Sequence, residues 1–433
     1  MKIVWLVNTI LPQIAEAEGI QRANTGGWTY ELSGLLSADS GLELTVLYPR
    51  KEGTAKKTGA DEKIVIGKAG NIRYAGFSEP AIAELSYNRE REESFRGILR
   101  EIRPDVVHIW GTEYGHTLEM LRACEDPKTA VISLQGIISV IGERYTALLP
   151  EDVIHRHTLR DLIRRDSIYE QQQKFLKRGE LELDALREAV NVIGRTEWDR
   201  DTVTKINPSL RYHHCRELLR KEFYTGESWE YSRCRRHSIF MSQSYYPVKG
   251  FHIALRILRE LKKTFPDVTL TAAGKSLIAA GFREKLKQDS YSRYICDRIR
   301  EYGLEENVQF AGPLDTDGMK ERYLSANVYL QASVMENSSN ALGEAMILGV
   351  PCVASNVGGT SSMLRDGTDG FLYPFDEPDR AAELIARIFE EEDKVSDMCF
   401  SARETARSLY DREQAYSEYL GVYQKTLWNC FGN

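Results

Sequence analysis

Two glutamates separated by seven residues, Glu336 and Glu344, open the most informative stretch of the chain, Ser333 to Phe371: SVMENSSNALGEAMILGVPCVASNVGGTSSMLRDGTDGF. A short apolar run, VYLQAS from Val328, ends just before them, and a helix is expected from near Asn340. Asn337, Ser338, Ser339 and Asn340 are all side chains suited to capping that helix, and their amides lie at the positive end of its dipole. A strand, a tight loop and a helix N-terminus together make an anion site suited to a diphosphate. Two carboxylates beside an anion site need a different ligand group. The vicinal hydroxyls of a sugar or ribose are natural candidates, because one carboxylate can accept hydrogen bonds from two of them.

A second group lies in HIWGTEYGHT, which puts His108 inside a buried strand and Thr112, Glu113 and His116 just past its carboxyl end. In open α/β sheets that end faces the ligand crevice. Glu113, together with Gln135 of SLQGII, is therefore a candidate for recognising hydroxyls of an acceptor, with His116 either a further cleft residue or an exposed helix residue, and His108 a core histidine. The triplet Asp315–Asp317 reads as a helix cap rather than a metal ligand set. No GxxxxGK[ST] loop is present, which removes the P-loop kinases and ATPases.

The elements that must carry these residues alternate in type. Strand candidates start at Lys2, Leu42, Asp105, Ala130 and Val190 in the first half, and at Ser238, Val268, Val308, Val328, Pro351 and Phe371 in the second. Most are continuous apolar runs, as parallel strands buried on both faces require. Amphipathic stretches such as HIALRILRELKKT from His252 lie between them. That rhythm means α/β architecture with doubly wound parallel sheets. It pauses only between Thr196 and Arg236, which reads as irregular and polar, so the expected division is 1–225, 226–411 and a closing helix over 412–433 that crosses back to the first domain. The segment 154–178 is helical in period, with Arg156, Arg160, Arg164, Arg165, Lys174, Lys177 and Arg178 against Asp161, Asp166 and Glu170. A solvated helical face is its default reading, and a peripheral membrane or lipid-phosphate contact the sharper one.

Bulk properties narrow the classes. At 433 residues the chain suits two domains of about 150–220 residues each. Its 57 basic and 64 acidic side chains leave a net charge of −7, which argues against nucleic acid as a partner. Seven cysteines without CxxC or Cys/His spacing fit free thiols in a reducing compartment. The apolar start MKIVWLVNTI breaks at Pro12, short of a signal peptide, and nothing approaches the roughly 18 apolar residues of a membrane span. The expected location is cytoplasmic, with a peripheral position at the inner membrane face if 154–178 touches lipid.

The Glu336/Glu344 spacing, followed by EAMILGVPCVASNVGG and DGTDGFLYP, resembles the donor site of retaining GT-B glycosyltransferases, and more narrowly family 4, within the glycosyl transferases group 1. The resemblance extends to GGW at Gly26–Trp28, KGFHIAL from Lys249 and VQFAG from Val308, in the expected order. It implies two Rossmann-like domains whose parallel sheets face a cleft. By the same resemblance Glu336 would hold hydroxyls of the transferred sugar and Glu344 the ribose, while Lys249 and the amides of Ser338, Ser339, Asn340 and Ala341 would neutralise the leaving diphosphate. Gly26 and Gly27 would admit phosphate and acceptor close to the backbone, and Lys275, Gly312 and Leu314 would complete the donor site. The family's arginine, five residues before the lysine, is absent: Gln243 and Ser244 stand there, so Lys275 or Arg22 would have to supply the second cation. A histidine that the family carries after a strand of its first domain is also absent, with Gln135 in that place. The implied reaction is metal-independent, retaining hexosyl transfer from a nucleoside-diphosphate sugar to a glycan or lipid-linked acceptor, without a cofactor, in surface polysaccharide biosynthesis. A nucleotide-sugar epimerase on the same fold and a non-catalytic nucleotide-sugar-binding subunit remain open beside it.

Overall fold

The computed structural model describes residues 1–20, 27–51, 64–79, 85–279 and 281–431. Gly26 and Arg22 lie outside them, while Gly27 opens the helix Gly27–Ala38. The chain divides into two compact units. One comprises Met1–Ser139, Phe175–Leu218 and Tyr410–Asn433, and the other Val140–Lys174 and Leu219–Leu409. The chain thus passes between units at Leu218–Leu219 rather than near residue 225, and 140–174 groups with the second unit, which no break in sequence pattern marks.

Among the described residues the first unit holds eight strands: β1 Lys2–Leu6, β2 Glu43–Lys51, β3 Ile64–Ala69, β4 Ile72–Glu79, β5 Val106–Trp110, β6 Ala130–Ser133, β7 Asn191–Gly194 and β8 Arg211–His214. Their order is β3-β4-β2-β1-β5-β6-β7-β8, parallel except for the antiparallel β3–β4 pair. That hairpin adds one antiparallel edge strand to an otherwise parallel sheet. Its two-residue turn is Gly70-Asn71, with Gly70 at φ 58°, the left-handed geometry that short hairpins demand. The span 196–236 is likewise more regular than its polar sequence suggests. It holds the helix Glu197–Ile206, started by a Thr196/Asp199 capping box, and β8. β8 escapes notice because RYHH is polar and edge-placed, without an apolar run.

The closing helix, Arg412–Phe431, lies in the first unit, where Ala415, Tyr419, Val422 and Tyr423 join a core with Trp5, Val46 and Trp110. The Tyr423 hydroxyl accepts from Trp5 Nε1 at 3.1 Å and meets His108 Nδ1 at 2.6 Å, while His108 Nε2 meets Ser133 Oγ at 2.7 Å. Burial pushes the His108 imidazole down to about 3. With both nitrogens partnered, His108 is a core histidine.

The second unit holds β9 Ser238–Met241, β10 Thr269–Ala272, β11 Val308–Phe310, β12 Val328–Gln331, β13 Cys352–Ser355 and β14 Phe371–Tyr373. The order is β11-β10-β9-β12-β13-β14, all parallel. The region read as one basic helix is three: Glu151–Ile154, Leu159–Arg164 and Ile168–Glu188. Cys124, Cys215, Cys234, Cys296, Cys352 and Cys399 are buried. No described helix is long and apolar enough to cross a membrane.

Candidate functional site

In the second sheet the chain moves outward from β9 through β10 to β11, then returns to β12 on β9's other side. Neighbouring strands whose connections leave in opposite directions open a crevice at their carboxyl ends. Lys249 follows β9, and Glu336 follows β12.

Backbone contacts lock these loops together. Val334 N donates to Val248 O at 2.9 Å. Gly250, at φ 67°, packs so closely on the Ala332 carbonyl that a Cβ would lie 1.8 Å from its oxygen. This brings Lys249 Nζ to 2.6 Å from Glu336 Oε1, which also accepts from Ser333 Oγ at 2.7 Å. Burial works against the Lys249 ammonium, but the charge and hydrogen bond of Glu336, with Tyr246 and Tyr329 beside them, together hold the lysine above its ordinary range. Gly358, at φ 53°, braces the loop from the far side: its Cβ would lie 1.9 Å from the Glu336 carbonyl, and Gly359 N donates to that carbonyl at 3.1 Å. The diglycine is thus the space that lets β13's loop lie against the glutamate's backbone.

The helix after this loop is Asn340–Leu348, with Ser339 as N-cap accepting from Leu342 N at 3.3 Å. Its first amides have no intrahelical acceptor. Ser338 is half-buried, Asn337 fully so. Neither amide atom of Asn337 has a hydrogen-bond partner among the described residues, nor does Asn340 Oδ1. A buried polar atom left unmatched costs about 1–3 kcal/mol, so the loop carries hydrogen-bonding capacity that the rest of the unit does not use.

Glu344 sits one turn in and is buried. Its Oε1 accepts from Arg220 Nη2 at 2.7 Å and Nε at 3.0 Å, and its Oε2 from the Tyr323 hydroxyl at 3.3 Å. Arg220 also reaches Thr316 Oγ1 at 3.3 Å and lies over the Phe223 ring. Burial raises the Glu344 pKa, and the Arg220 charge opposes that rise. Arg220 is the residue that sequence reasoning missed. It lies 124 positions away in a stretch without motif or period, and only its type, an arginine in a polar connector, could have drawn attention to it. Ser244, which with Gln243 stands where the resemblance would place an arginine, is buried with Oγ unpartnered among the described residues.

Lys275, Gly312 and Leu314 gather at the carboxyl ends of β10 and β11, where Gly274 N donates to Gly312 O at 2.9 Å. The Lys275 side chain is exposed. Asp315 caps the helix Thr316–Ser325 through Gly318 N at 2.9 Å. No group of three or more His, Cys, Asp or Glu among the described residues could hold a metal ion. Asp366 and Asp369 of DGTDGF are structural: they bond Leu372 N at 2.8 Å and Arg365, fixing the turn into β14.

The first unit repeats the crevice arrangement at β1 and β5. Asn8, after β1, donates to Glu113 Oε2 at 2.6 Å and meets His116 Nε2 at 2.8 Å. Gly111, at φ 91°, makes room, since a Cβ there would lie 1.9 Å from Glu113 Oε2. Burial first, and then the neighbouring Glu182 charge, push the Glu113 carboxyl up to about 7. Gln135 is outside this bonded group; its carbonyl accepts from Arg195 at 3.2 Å.

Residues 234–405 match the family model of glycosyl transferases group 1. Over that span the chain is similar to group 1. The group 1 match covers Lys249, Glu336, Glu344 and both glycine turns, and ends before the closing helix. Among curated relatives, the chain is 27% identical over 195 residues to a phosphatidyl-myo-inositol mannosyltransferase of Mycobacterium leprae, covering 45% of this chain and 48% of the relative. It is 30% identical over 144 residues to a D-inositol 3-phosphate glycosyltransferase of Acidothermus cellulolyticus, covering 33% and 31%. The chain spans about half the length of such mannosyltransferase relatives. Solved structures match end to end: sucrose-phosphate synthase from Thermosynechococcus elongatus at a TM-score of 0.70 and 16% identity, covering 98% of both chains. HepE of Anabaena, in complex with UDP and glucose, matches at 0.65 and 16%, covering 98% of this chain and all of that one. At that identity they show the fold, which is GT-B.

Proposed function

We propose that this chain is a retaining hexosyltransferase that uses a nucleoside-diphosphate sugar as donor and a glycan or lipid-linked molecule as acceptor, in surface polysaccharide assembly on the cytoplasmic side of the membrane. One observation carries the reading: two carboxylates, Glu336 and Glu344, bracket the first turn of a helix at a topological switch point, each held by its own cation. In this reading Glu344 accepts from the ribose hydroxyls and Glu336 from those of the sugar. Asn337, buried and unmatched, adds a donor and an acceptor beside them. The helix amides and Lys249 hold the diphosphate. Asn8, Glu113 and His116 offer the acceptor hydroxyls a polar site in the first unit.

As the bond between the anomeric carbon and the diphosphate oxygen breaks, the acceptor oxygen bonds to the same face of that carbon. Its proton passes to the departing diphosphate, so no protein base and no metal is required. Lys249 and the helix dipole interact with the growing negative charge more strongly than with the intact donor. HepE's structures with UDP and with UDP-glucose make a uridine donor the first to test.

The assay is nucleotide release from a panel of uridine, guanosine and adenosine diphosphate sugars, with and without glycan acceptor. Transfer requires release that depends on acceptor. Release without acceptor, accompanied by a change in the sugar, identifies an epimerase, and binding without release identifies a non-catalytic subunit.

A further inference from the structure

The short helix Leu159–Arg164 is built inside out. Its N-cap Thr158 and its Asp161 form a capping box: Thr158 N donates to Asp161 Oδ2 at 3.0 Å, and Asp161 N to Thr158 Oγ1 at 3.2 Å. The same Asp161 oxygen accepts from Ser290 N at 2.9 Å, at the start of the helix Ser290–Glu301. Thr158 and Asp161 are buried. The helix thus turns a satisfied polar face inward. Its aliphatic side chains face out: Leu159 is 58% exposed, Leu162 63% and Ile163 75%. An amphipathic helix serving only its own core does the reverse.

The charges around it are unequal in availability. Arg160 pairs with Asp161 and Asp166, Lys174 with Asp166, and Arg156 with Asp152 and Asp297. Arg164 and Arg165 are exposed and form no ion pair among the described residues. One helical turn therefore presents three bare aliphatic side chains followed by two uncompensated arginines.

We infer that this helix docks on an anionic lipid bilayer, with Leu159, Leu162 and Ile163 entering the acyl boundary and Arg164 and Arg165 meeting headgroup phosphates. A second copy is a poorer occupant, because a two-fold contact of this patch with itself brings like charges together. The inference stands on the helix alone and holds whichever nucleotide the second unit takes. It would give a lipid-linked acceptor the bilayer as its point of delivery.

The test is co-sedimentation of the full chain with phosphatidylcholine vesicles, with and without phosphatidylglycerol. Binding is expected on the anionic vesicles and is weakened by salt. Arg164→Glu/Arg165→Glu should lower it by at least about tenfold, and Leu162→Ser/Ile163→Ser by a similar factor. Thermal melting and nucleotide binding should be unchanged, since these side chains project into solvent. Equal binding by the variants, or no preference for anionic vesicles, overturns the inference. So does a dimer in light scattering that the Leu162/Ile163 variant abolishes without any vesicle binding.

Discussion

Lys249 Nζ and Glu336 Oε1 lie 2.6 Å apart and tie the loop after β9 to the loop after β12. Each group thereby neutralises the other in the free protein. In the proposed reaction, with Gln243 and Ser244 where the resemblance would place an arginine, Lys249 would carry more of the leaving-group charge than it would with a second cation beside it. Lys249→Ala is expected to lower kcat by about 10²–10³ with a smaller effect on the donor KM. Steady-state kinetics beside Lys275→Ala check this. Collapse of turnover in Lys275→Ala with little change in Lys249→Ala would reassign the phosphate cation.

Glu344→Ala should weaken nucleoside diphosphate binding by roughly 1.5–3 kcal/mol, the loss of an ionised acceptor to buried hydroxyls. Calorimetric titration measures it, and unchanged affinity in a folded variant removes Glu344 from the site.

Arg220→Gln tests the partner that the tertiary structure supplies. Burial raises the Glu344 pKa and Arg220 opposes it, so removing Arg220 raises the pKa further and the carboxylate takes up its proton at a higher pH than in the native chain. Nucleotide affinity of the variant is expected to fall near neutral pH and recover as pH rises, while Arg220→Lys keeps most of it. An affinity independent of pH in Arg220→Gln would mean that the arginine does not govern the charge of Glu344.

Gly358→Ala places a methyl 1.9 Å from the Glu336 carbonyl, on a residue at positive φ. The loop must move, so a loss of at least about 1–2 kcal/mol in stability is expected, together with a fall in turnover. Gly303→Ala also sits at positive φ, with no atom within 4 Å of the added carbon, and serves as the control. It shares the backbone cost and should leave turnover intact.

Glu113 gives a pH signature. Its carboxyl titrates at about 7 in the folded chain against an ordinary 4.5. Between those values the native state holds a proton that the unfolded state has released, so this group's contribution to stability falls as pH rises through about 7. The fall is on the order of 3 kcal/mol for a shift of that size. Glu113→Gln mimics the protonated acid and should flatten this part of the profile between acid and mildly alkaline pH. Urea unfolding of both proteins across that range provides the comparison, and parallel profiles would place the Glu113 pKa in the ordinary carboxylate range.

In the proposed mechanism Lys249 and the helix amides would carry the diphosphate charge, so activity should persist in EDTA. Loss that magnesium or manganese restores would give Asp315 and Asp317 a role beyond capping.

The sequence by itself determined the α/β rhythm, the site loop and its helix start, because these depend on neighbours within one turn or strand. Parallel strands buried on both faces must be apolar runs, a helix N-terminus must be capped, and Ser339 caps where the polar run NSSN ends. The hairpin of β3 and β4 was hidden because its strands carry glycines, and β8 because an edge strand need not be apolar. What only the tertiary structure decided are the pairings. Arg220 meets Glu344 across 124 positions, Lys249 meets Glu336 across 87, and Asn8 joins Glu113 and His116 across more than 100. The exposure of Leu159, Leu162 and Ile163 was equally out of reach: their pattern suits either face of a helix, and Asp161 bound to Ser290 N sets which one turns inward. Charge compensation acts through space at a few ångströms, and sequence separation carries no information about which charges the fold brings that close.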